Sequence, residues 1–178
     1  MKHTLIPVIL SCAALLAAKD IPVRMDKAKI GDSKIPGWSL NTFGFKDGVG
    51  KGEIVAGSQD GIKAFKFTTT NRMTSFYVSK AEPVKIGDVL EISARVKGKG
   101  RLILGYYAYA EKHRYLQAAK DSSREITLTN EWQEVKCVIT VSAPPKGDLK
   151  MIRPMITLRP NSDMLMEDIV IELTSSGK

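Results

Sequence analysis

Strict alternation of apolar and polar residues is the feature that most constrains the fold of this chain. The stretch KIGDVLEISARVKGKG carries apolar side chains at every second position from Leu90 to Val96, and EVKCVITV repeats the pattern from Val135 to Val141. Side chains of a β-strand point to opposite faces with a period of two. Each segment is therefore predicted to be a strand with one buried face, and Cys137 falls on the buried face of the second.

Further strands are predicted from short apolar runs that turn residues separate. These runs are GIKAFKFTTT, MTSFYVSK, RLILGYYAYA, MIRPMITLR and MLMEDIVIEL. Pro154 cannot donate to a β-ladder, so it indicates an edge, a bulge or a strand start. Gly98 and Gly100 are predicted to close the strand before them, and EKHRYLQAAKDSS is predicted to be a loop with at most one helical turn. About eight strands without a helical stripe favour an all-β, two-sheet sandwich of the jelly-roll type.

The beginning of the chain has the composition of an export signal. A basic start precedes an apolar run over residues 5–16, and small residues close the run at Ala18. This pattern predicts a signal peptide over residues 1–18, followed by one domain over residues 19–178 that is secreted, periplasmic or at the cell surface. Cys12 leaves open a lipid anchor, but the apolar run continues beyond it, which favours ordinary cleavage. We expect a monomeric mature chain without a transmembrane segment.

Groups suited to catalysis are scarce in the sequence after the predicted signal. His113 is the one histidine there, and it lies in the charged stretch AEKHRY. The sequence has no Gly-rich phosphate loop and no Gly-x-Ser-x-Gly elbow, and its acidic residues carry no motif of a paired-carboxylate hydrolase. The net charge of +8 is dispersed, which disfavours nucleic acid as a partner and favours anionic glycans or a negative cell surface. We therefore expect a protein that is not an enzyme.

Tyrosine and arginine side chains are the candidates for a binding site. Sugars present apolar C–H faces and hydroxyl edges, which proteins hold with aromatic rings and planar polar groups. Tyr106, Tyr107, Tyr109 and Tyr115 crowd into one short stretch. Tyr106 and Tyr107 must point to opposite faces of a regular strand, so we expect one in the core and one outward. The alternative is that these tyrosines only fill the sandwich.

The order of these pieces resembles the CenC-type carbohydrate-binding modules, which are galactose-binding-like jelly rolls. The resemblance covers residues 36–173 and rests on PGW, GIKAFKF, KIGDVLEISARVKG, NEWQEVKCVITV and MLMEDIVIEL in this order. It implies a concave sheet face that binds glycan chains, on which Arg95, Arg153 and one ring of the adjacent tyrosine pair would contact the sugar. The loops around Tyr115 are the alternative place for the ligand.

The resemblance also implies roles for a terminal acidic pair and for a tryptophan. In the family such a pair can join an N-terminal acid at a structural calcium, and Glu167 and Asp168 form the pair here. No Asn-Gly-x-Phe-Glu stretch precedes Trp38 to complete the site. Because Ca²⁺ takes about six to eight oxygen ligands, the set is incomplete and we expect no cofactor. Trp132 corresponds to a family tryptophan at the rim of the sandwich, so packing is favoured over ligand contact.

The leading hypothesis is an exported, non-catalytic protein that binds a poly- or oligosaccharide on a sheet face or a loop rim. The first alternative is a structural or protein-interaction domain of the same fold in a cell-surface assembly. The second is a glycoside hydrolase or a protein associated with one. All three hypotheses are compatible with the predicted fold, because a fold by itself does not determine a function.

Overall fold

Twelve strands and two short 3-10 turns make up the described part of the chain. The computed structural model describes residues 18–41, 43, 46, 49–120 and 125–177. The predicted signal peptide therefore lies, apart from Ala18, outside the described residues, as does Cys12. The strands are β1 (Ala18–Asp20), β2 (Trp38–Asn41), β3 (Lys51–Ala56), β4 (Lys63–Thr68), β5 (Thr74–Val78), β6 (Glu82–Pro83), β7 (Val89–Tyr109), β8 (Tyr115–Lys120), β9 (Ile126–Leu128), β10 (Gln133–Thr140), β11 (Met151–Leu158) and β12 (Asp163–Thr174). The turns are Met25–Lys27 and Glu111–His113.

The strands form one curled sheet whose two halves pack face to face. The first half has the order β3, β4, β12, β7 and β10, and β1 pairs with the C-terminal end of β12. The second half has the order β2, β5, β11 and β7, with β6 beside β11 and with β8 and β9 beside β7. Every pairing among the described strands is antiparallel, which confirms the predicted all-β sandwich.

β7 is the strand that joins the two halves. Its first part, residues 89–98, pairs with β12 and β10, and its second part, residues 100–109, pairs with β11, β8 and β9. Gly98 and Gly100 lie at the passage with φ of 148° and 98°, and a Cβ on Gly98 would come within 1.9 Å of the carbonyl oxygen of Asp163. The prediction that these glycines close the strand is wrong, because they bend it instead.

The core lies between the two halves, where the alternating residues predicted to be buried are found. The apolar residues at every second position from Leu90 to Val96 are at most 5% exposed, and Cys137 is 4% exposed. Phe65 and Phe67 of β4 meet Phe76 of β5 edge to face, each with its ring centroid 4.8 Å from that of Phe76. These contacts tie the first half of the sheet to the second.

Two local predictions need correction or refinement. The segment EKHRYLQAAKDSS contains, in its described part, the turn Glu111–His113 and strand β8, which covers an edge of β7. Pairing with that edge overrides the weak strand preference of its alanines. Pro154 lies inside β11, after residues 151–152 that pair with β6 and before residues 155–158 that pair with β5. The proline, which lacks an N–H, therefore lies where the strand beside β11 changes from β6 to β5. Among the described residues, no helix is long and apolar enough to cross a membrane.

Candidate functional site

Tyrosine side chains gather on the outer face of the second half of the sheet. They are Tyr77 of β5, Tyr107 and Tyr109 of β7 and Tyr115 of β8, with Arg153 of β11 among them. We call this set the tyrosine face. Strand register brings it together, because Arg153 lies opposite Tyr107 and Tyr109 lies opposite Tyr115. Cross-strand neighbours on one face lie close enough for their side chains to touch.

The rings of the tyrosine face meet edge to face. The ring centroid of Tyr107 lies 5.5 Å from that of Tyr77 at an interplanar angle of 86°, and 6.1 Å from that of Tyr115 at 67°. The Tyr109 centroid lies 6.0 Å from that of Tyr115 at 71°. Tilted contacts of this kind suit the charge distribution of aromatic rings. The four rings therefore hold one another in place before any ligand arrives.

Depth separates the floor of the tyrosine face from its rim. Tyr107 is 2% exposed, and its hydroxyl accepts a hydrogen bond from Asn41 Nδ2 at 2.9 Å. Tyr115 is 55% exposed, and Tyr77 and Tyr109 are half-buried. Tyr107 therefore supports the face from below, while the other three rings are open to a ligand.

Burial favours the neutral form of three phenols of the tyrosine face. It raises the pKa of Tyr107, Tyr109 and Tyr115 above the ordinary value of 10.0, since loss of water disfavours the phenolate. Hydrogen bonds to the Tyr107 hydroxyl oppose this rise, and the Arg153 guanidinium opposes it at Tyr109, but burial is the larger effect on both pKa values. At neutral pH the face thus offers neutral hydroxyl groups that can donate and accept.

The guanidinium of Arg153 stands between two of the rings. Its Cζ lies 4.8 Å from the ring centroid of Tyr109 and 5.7 Å from that of Tyr77, within the range of cation–π contacts. Its Nε is buried and has no hydrogen-bond partner among the described residues. The side chain as a whole is half-buried, so part of the guanidinium can still reach a ligand. The protein positions this cation through ring contacts.

Tyr106 points away from the tyrosine face. It is fully buried in the core between the two halves, where its hydroxyl accepts a hydrogen bond from the Ser142 N–H at 3.4 Å. The expectation that one residue of the pair faces the core and its neighbour faces outward is confirmed. A ligand contact for Tyr106 needs correction, because its ring is covered by both halves of the sheet, and the candidate contacts are the more exposed rings around Tyr107.

Two tyrosines of the face, Tyr77 and Tyr109, are not among the site residues predicted from the sequence. Tyr109 could have been chosen, because it follows Tyr107 by two residues and therefore shares its face. Tyr77 could not, because its place depends on β11 lying between β5 and β7, an order that periodicity does not specify. Tyr115, predicted as a loop residue, lies at the start of β8.

Arg95 lies on the outer face of the first half of the sheet, away from the tyrosine face. Its Nη1 donates to Glu167 Oε1 at 2.8 Å, and Ser58 donates to the same carboxylate from its N–H at 2.9 Å and from its hydroxyl at 2.5 Å. The Glu167 side chain has no exposed surface. The predicted patch that joins Arg95 to Arg153 is therefore wrong, because the two arginines lie on different halves with outer faces on opposite sides of the sandwich.

The acidic pair Glu167 and Asp168 does not fit a calcium site. Both carboxylate oxygens of Glu167 already accept hydrogen bonds, and the Arg95 guanidinium supplies the positive charge. Asp168 lies in a bulge of β12 with φ of 51°, and its side chain is 54% exposed. The described residues hold no group of three or more His, Cys, Asp and Glu side chains placed for a metal. Calcium would need about six to eight oxygens.

Trp132 also lies on the outer side of the first half. Its half-buried ring carries the Arg95 guanidinium at 5.4 Å and the Lys97 ammonium at 5.1 Å from its centroid. This agrees with the predicted packing role. A groove of about 510 Å³ lies beside it, lined by Val55, Lys66, Lys97, Gly98, Asn130, Asp163 and Leu165. No aromatic ring lines this groove, whereas the tyrosine face offers several, so the tyrosine face is the better candidate site.

Comparisons with known proteins bear on the fold. No protein-family model matches the chain, and no curated protein matches it. Among the solved structures, 107 chains match. The CBM22-1 xylan-binding domain from Paenibacillus barcinonensis Xyn10C is 15% identical, with a TM-score of 0.53 over 83% of this chain and 98% of that chain. A cyclase from Fischerella sp. TAU is 7% identical, with a TM-score of 0.60 over 91% of this chain and 100% of that one.

A third match shows how widely this architecture is used. The enzymatically active domain of bacteriophage CBA120 tailspike protein 4 is 12% identical, with a TM-score of 0.55 over 79% of this chain, which spans only 20% of that chain. Likeness at such low identity shows a shared fold, and a binding domain, a cyclase and a tailspike all have it. The chain therefore has a jelly-roll fold like that of carbohydrate-binding modules, and the narrower resemblance to the CenC type rests on the sequence pattern.

Proposed function

We propose that this protein is an exported, non-catalytic carbohydrate-binding protein that holds a glycan on the tyrosine face. The observation that carries the proposal is an exposed ring, Tyr115, in contact with Tyr107 and Tyr109, on the same face as a guanidinium that lies against Tyr109 and has no carboxylate partner among the described residues. The fold that the chain shares with a xylan-binding domain supports this choice among the functions that such a fold can host.

The arrangement suits the two kinds of surface that a sugar ring presents. The apolar C–H face of a pyranose would lie on Tyr115 or Tyr109, where it replaces water at an aromatic ring. Hydroxyl groups at the edge of the sugar would accept hydrogen bonds from Arg153. With the neutral phenols they could act as either donors or acceptors. Tyr107 would not touch the sugar but would hold the rings around it, because it is almost fully buried beneath them.

The test is glycan binding by the purified protein, first on a glycan array and then by calorimetry with the glycans that bind. Tyr115→Ala and Tyr109→Ala should each weaken binding by about tenfold to a hundredfold, the usual effect of truncating a central aromatic contact. Lys97→Ala, in the groove on the opposite side of the sandwich, is the matched control and should bind as the wild type does. Trp132→Ala should lower stability without lowering affinity.

Other results would move the function or the site elsewhere. Unchanged affinity in folded Tyr115→Ala and Tyr109→Ala proteins would exclude the tyrosine face, and a loss with Lys97→Ala would point to the groove. Specific co-purification of a protein partner, with no glycan bound, would support the alternative of an interaction domain. Release of reducing sugar from a bound glycan would show a hydrolase.

Export is part of the proposal and has its own test. Mass spectrometry of the secreted protein should find a mature chain that begins at Lys19. Such a chain would keep Lys19 and Asp20 of β1 paired with β12, and it would keep the ion pair of Lys19 with Glu82. An intact Met1, or a lipid on Cys12, would contradict this cleavage. Size-exclusion chromatography of the same material should show a monomer.

A further inference from the structure

Arg153 differs from the other arginines that the structure shows in ion pairs. Arg95 pairs with Glu167, and Arg101 and Arg159 both pair with Glu125. Arg153 has no carboxylate within ion-pair distance among the described residues. Its guanidinium lies instead against the rings of Tyr77 and Tyr109. The tyrosine face thus holds a cation that no carboxylate of the described part of the chain neutralises.

A half-buried guanidinium without a carboxylate partner among the described residues favours an anionic ligand. Its Nε is buried and has no hydrogen-bond partner there, so a ligand would meet the terminal N–H groups of the guanidinium. Ring contacts stabilise the cation in part. A hydrogen bond joins the guanidinium to the Tyr109 side chain, but no carboxylate among the described residues accepts from it. A planar guanidinium matches a carboxylate, because two parallel N–H groups can donate to its two oxygens.

The residues around Arg153 present no negative charge to repel such a ligand. Register places near Arg153 on this outer face Ser39, Asn41, Ser75, Tyr77, Ile103, Gly105, Tyr107, Tyr109, Tyr115, Ala118, Met151, Met155 and Thr157, and this described set contains no Asp or Glu. Glu125 follows on the same side beyond Ile103, where it pairs with both Arg101 and Arg159. The phenols stay neutral near pH 7, since burial raises the pKa of Tyr107, Tyr109 and Tyr115. Among the described residues near it, Arg153 is therefore the one charged side chain.

We propose that the tyrosine face selects glycans that carry a carboxylate. The C–H face of a hexuronate-containing glycan would stack on the Tyr115 ring, and its carboxylate oxygens would accept hydrogen bonds from Arg153. This inference rests on the proposed glycan-binding function and narrows it to a substrate class. It differs from general attraction by the net charge, because it assigns the preference to one side chain at one place.

The experiment compares acidic glycans with neutral ones of the same shape. The probes are oligogalacturonate against its methyl ester, and glucuronate-substituted xylo-oligosaccharide against its carboxyl-reduced form. At least one acid should bind the wild type about tenfold or more tightly than its neutral match, as expected for a charge-assisted contact. Rising salt should reduce that preference, because the guanidinium is partly exposed to solvent.

Variants at Arg153 assign the preference to its side chain. Arg153→Gln should lower the affinity for the acid to that for its neutral match, so that the preference is lost, and Arg153→Lys should keep part of the preference. Lys97→Ala removes the same charge on the opposite side of the sandwich and should leave the preference intact. Thermal melting of each variant shows whether it is folded.

Each outcome decides one of the two proposals. Equal binding of every acid and its neutral match would overturn the selectivity while glycan binding stands. An acid preference that Arg153→Gln retains would do the same, and its loss in Lys97→Ala would assign the preference to the opposite side of the sandwich. Binding of no glycan on the array, acidic or neutral, would overturn the proposed function and this inference with it.

Discussion

Removal of the Arg95 side chain should destabilise the domain strongly, although Arg95 lies on an outer face. Its partner Glu167 has no exposed surface and accepts hydrogen bonds from Arg95 and from the N–H and hydroxyl of Ser58. In Arg95→Ala the carboxylate would keep the Ser58 donors but lose the charge that balances it. Breaking a buried ion pair from one side costs about 3 to 5 kcal/mol.

The geometry places the expected effect at the lower end of that range. The Arg95 side chain is 33% exposed, so water can partly replace it beside Glu167. We expect a loss of about 3 kcal/mol in the free energy of unfolding. For a chain of this size that is a fall of roughly 6 to 12 °C in the melting temperature.

The assay is urea unfolding of the purified protein, followed by fluorescence, with Lys136→Ala as the matched control. Lys136 pairs with Glu91 at 2.5 Å on the same outer face, but their side chains are 60% and 28% exposed, so its loss should cost less than about 1 kcal/mol. Glu167→Gln should destabilise the wild type yet partly rescue Arg95→Ala, because a neutral amide needs no counter-charge. The wild-type midpoint should not change when EDTA is added.

Two results would refute this reasoning. If Arg95→Ala cost no more than Lys136→Ala, Glu167 would not depend on the guanidinium. If EDTA lowered the wild-type midpoint, a bound cation would be part of the site, and the calcium ligands Glu167 and Asp168 expected from the family resemblance would need to be reconsidered.

Three further predictions concern the core and the tyrosine face. Tyr106→Ala should cost about 3 to 5 kcal/mol in urea unfolding, since its ring is fully buried, whereas Tyr106→Phe should cost about 1 kcal/mol for one hydrogen bond; equal costs would contradict this. Cys137 is 4% exposed, so thiol reagents should label it slowly until urea is added. Rapid labelling of the native protein would show that Cys137 does not lie on the buried face of its strand. Because the pKa values of Tyr107, Tyr109 and Tyr115 are raised, their contribution to stability is full below pH 10 and falls as pH rises above 10, which unfolding at a series of alkaline pH values would measure.

The sequence predicts the strands of this fold better than their connections. Alternation identifies which residues face the core, because burial of one face leaves a period of two in the chain. It does not show that β7 continues past Gly98 and Gly100, since the same glycines that end a strand can also bend it. What distinguishes the two outcomes is the backbone of Asp163 close to Gly98, a contact between residues far apart in sequence.

The candidate site is less predictable for the same reason. Composition and spacing identify tyrosines and arginines as candidate binding residues. The alternation of side chains along a strand places Tyr106 and Tyr107 on opposite faces. Whether Arg95 or Arg153 joins the tyrosines depends on the sheet half to which each strand belongs, and strand order is a property of the whole chain. The acidic partner of Arg95 is likewise invisible in the sequence, because Glu167 lies 72 residues away from it.

The second part of β7 explains how the tyrosine face can be both open and rigid. Alternate residues of this segment belong to different surfaces, so Tyr107 and Tyr109 face outward while their neighbours Tyr106 and Ala108 are fixed in the core. A ring whose backbone is held by a buried neighbour loses little freedom when a ligand binds, and tyrosine has few rotatable bonds to fix. Edge-to-face contacts with Tyr77 and Tyr115 restrict the remaining motion. Rigidity of this kind lowers the entropic cost of binding, and since it derives from the core, folded variants with a loosened core should bind glycan more weakly without any change on the face itself.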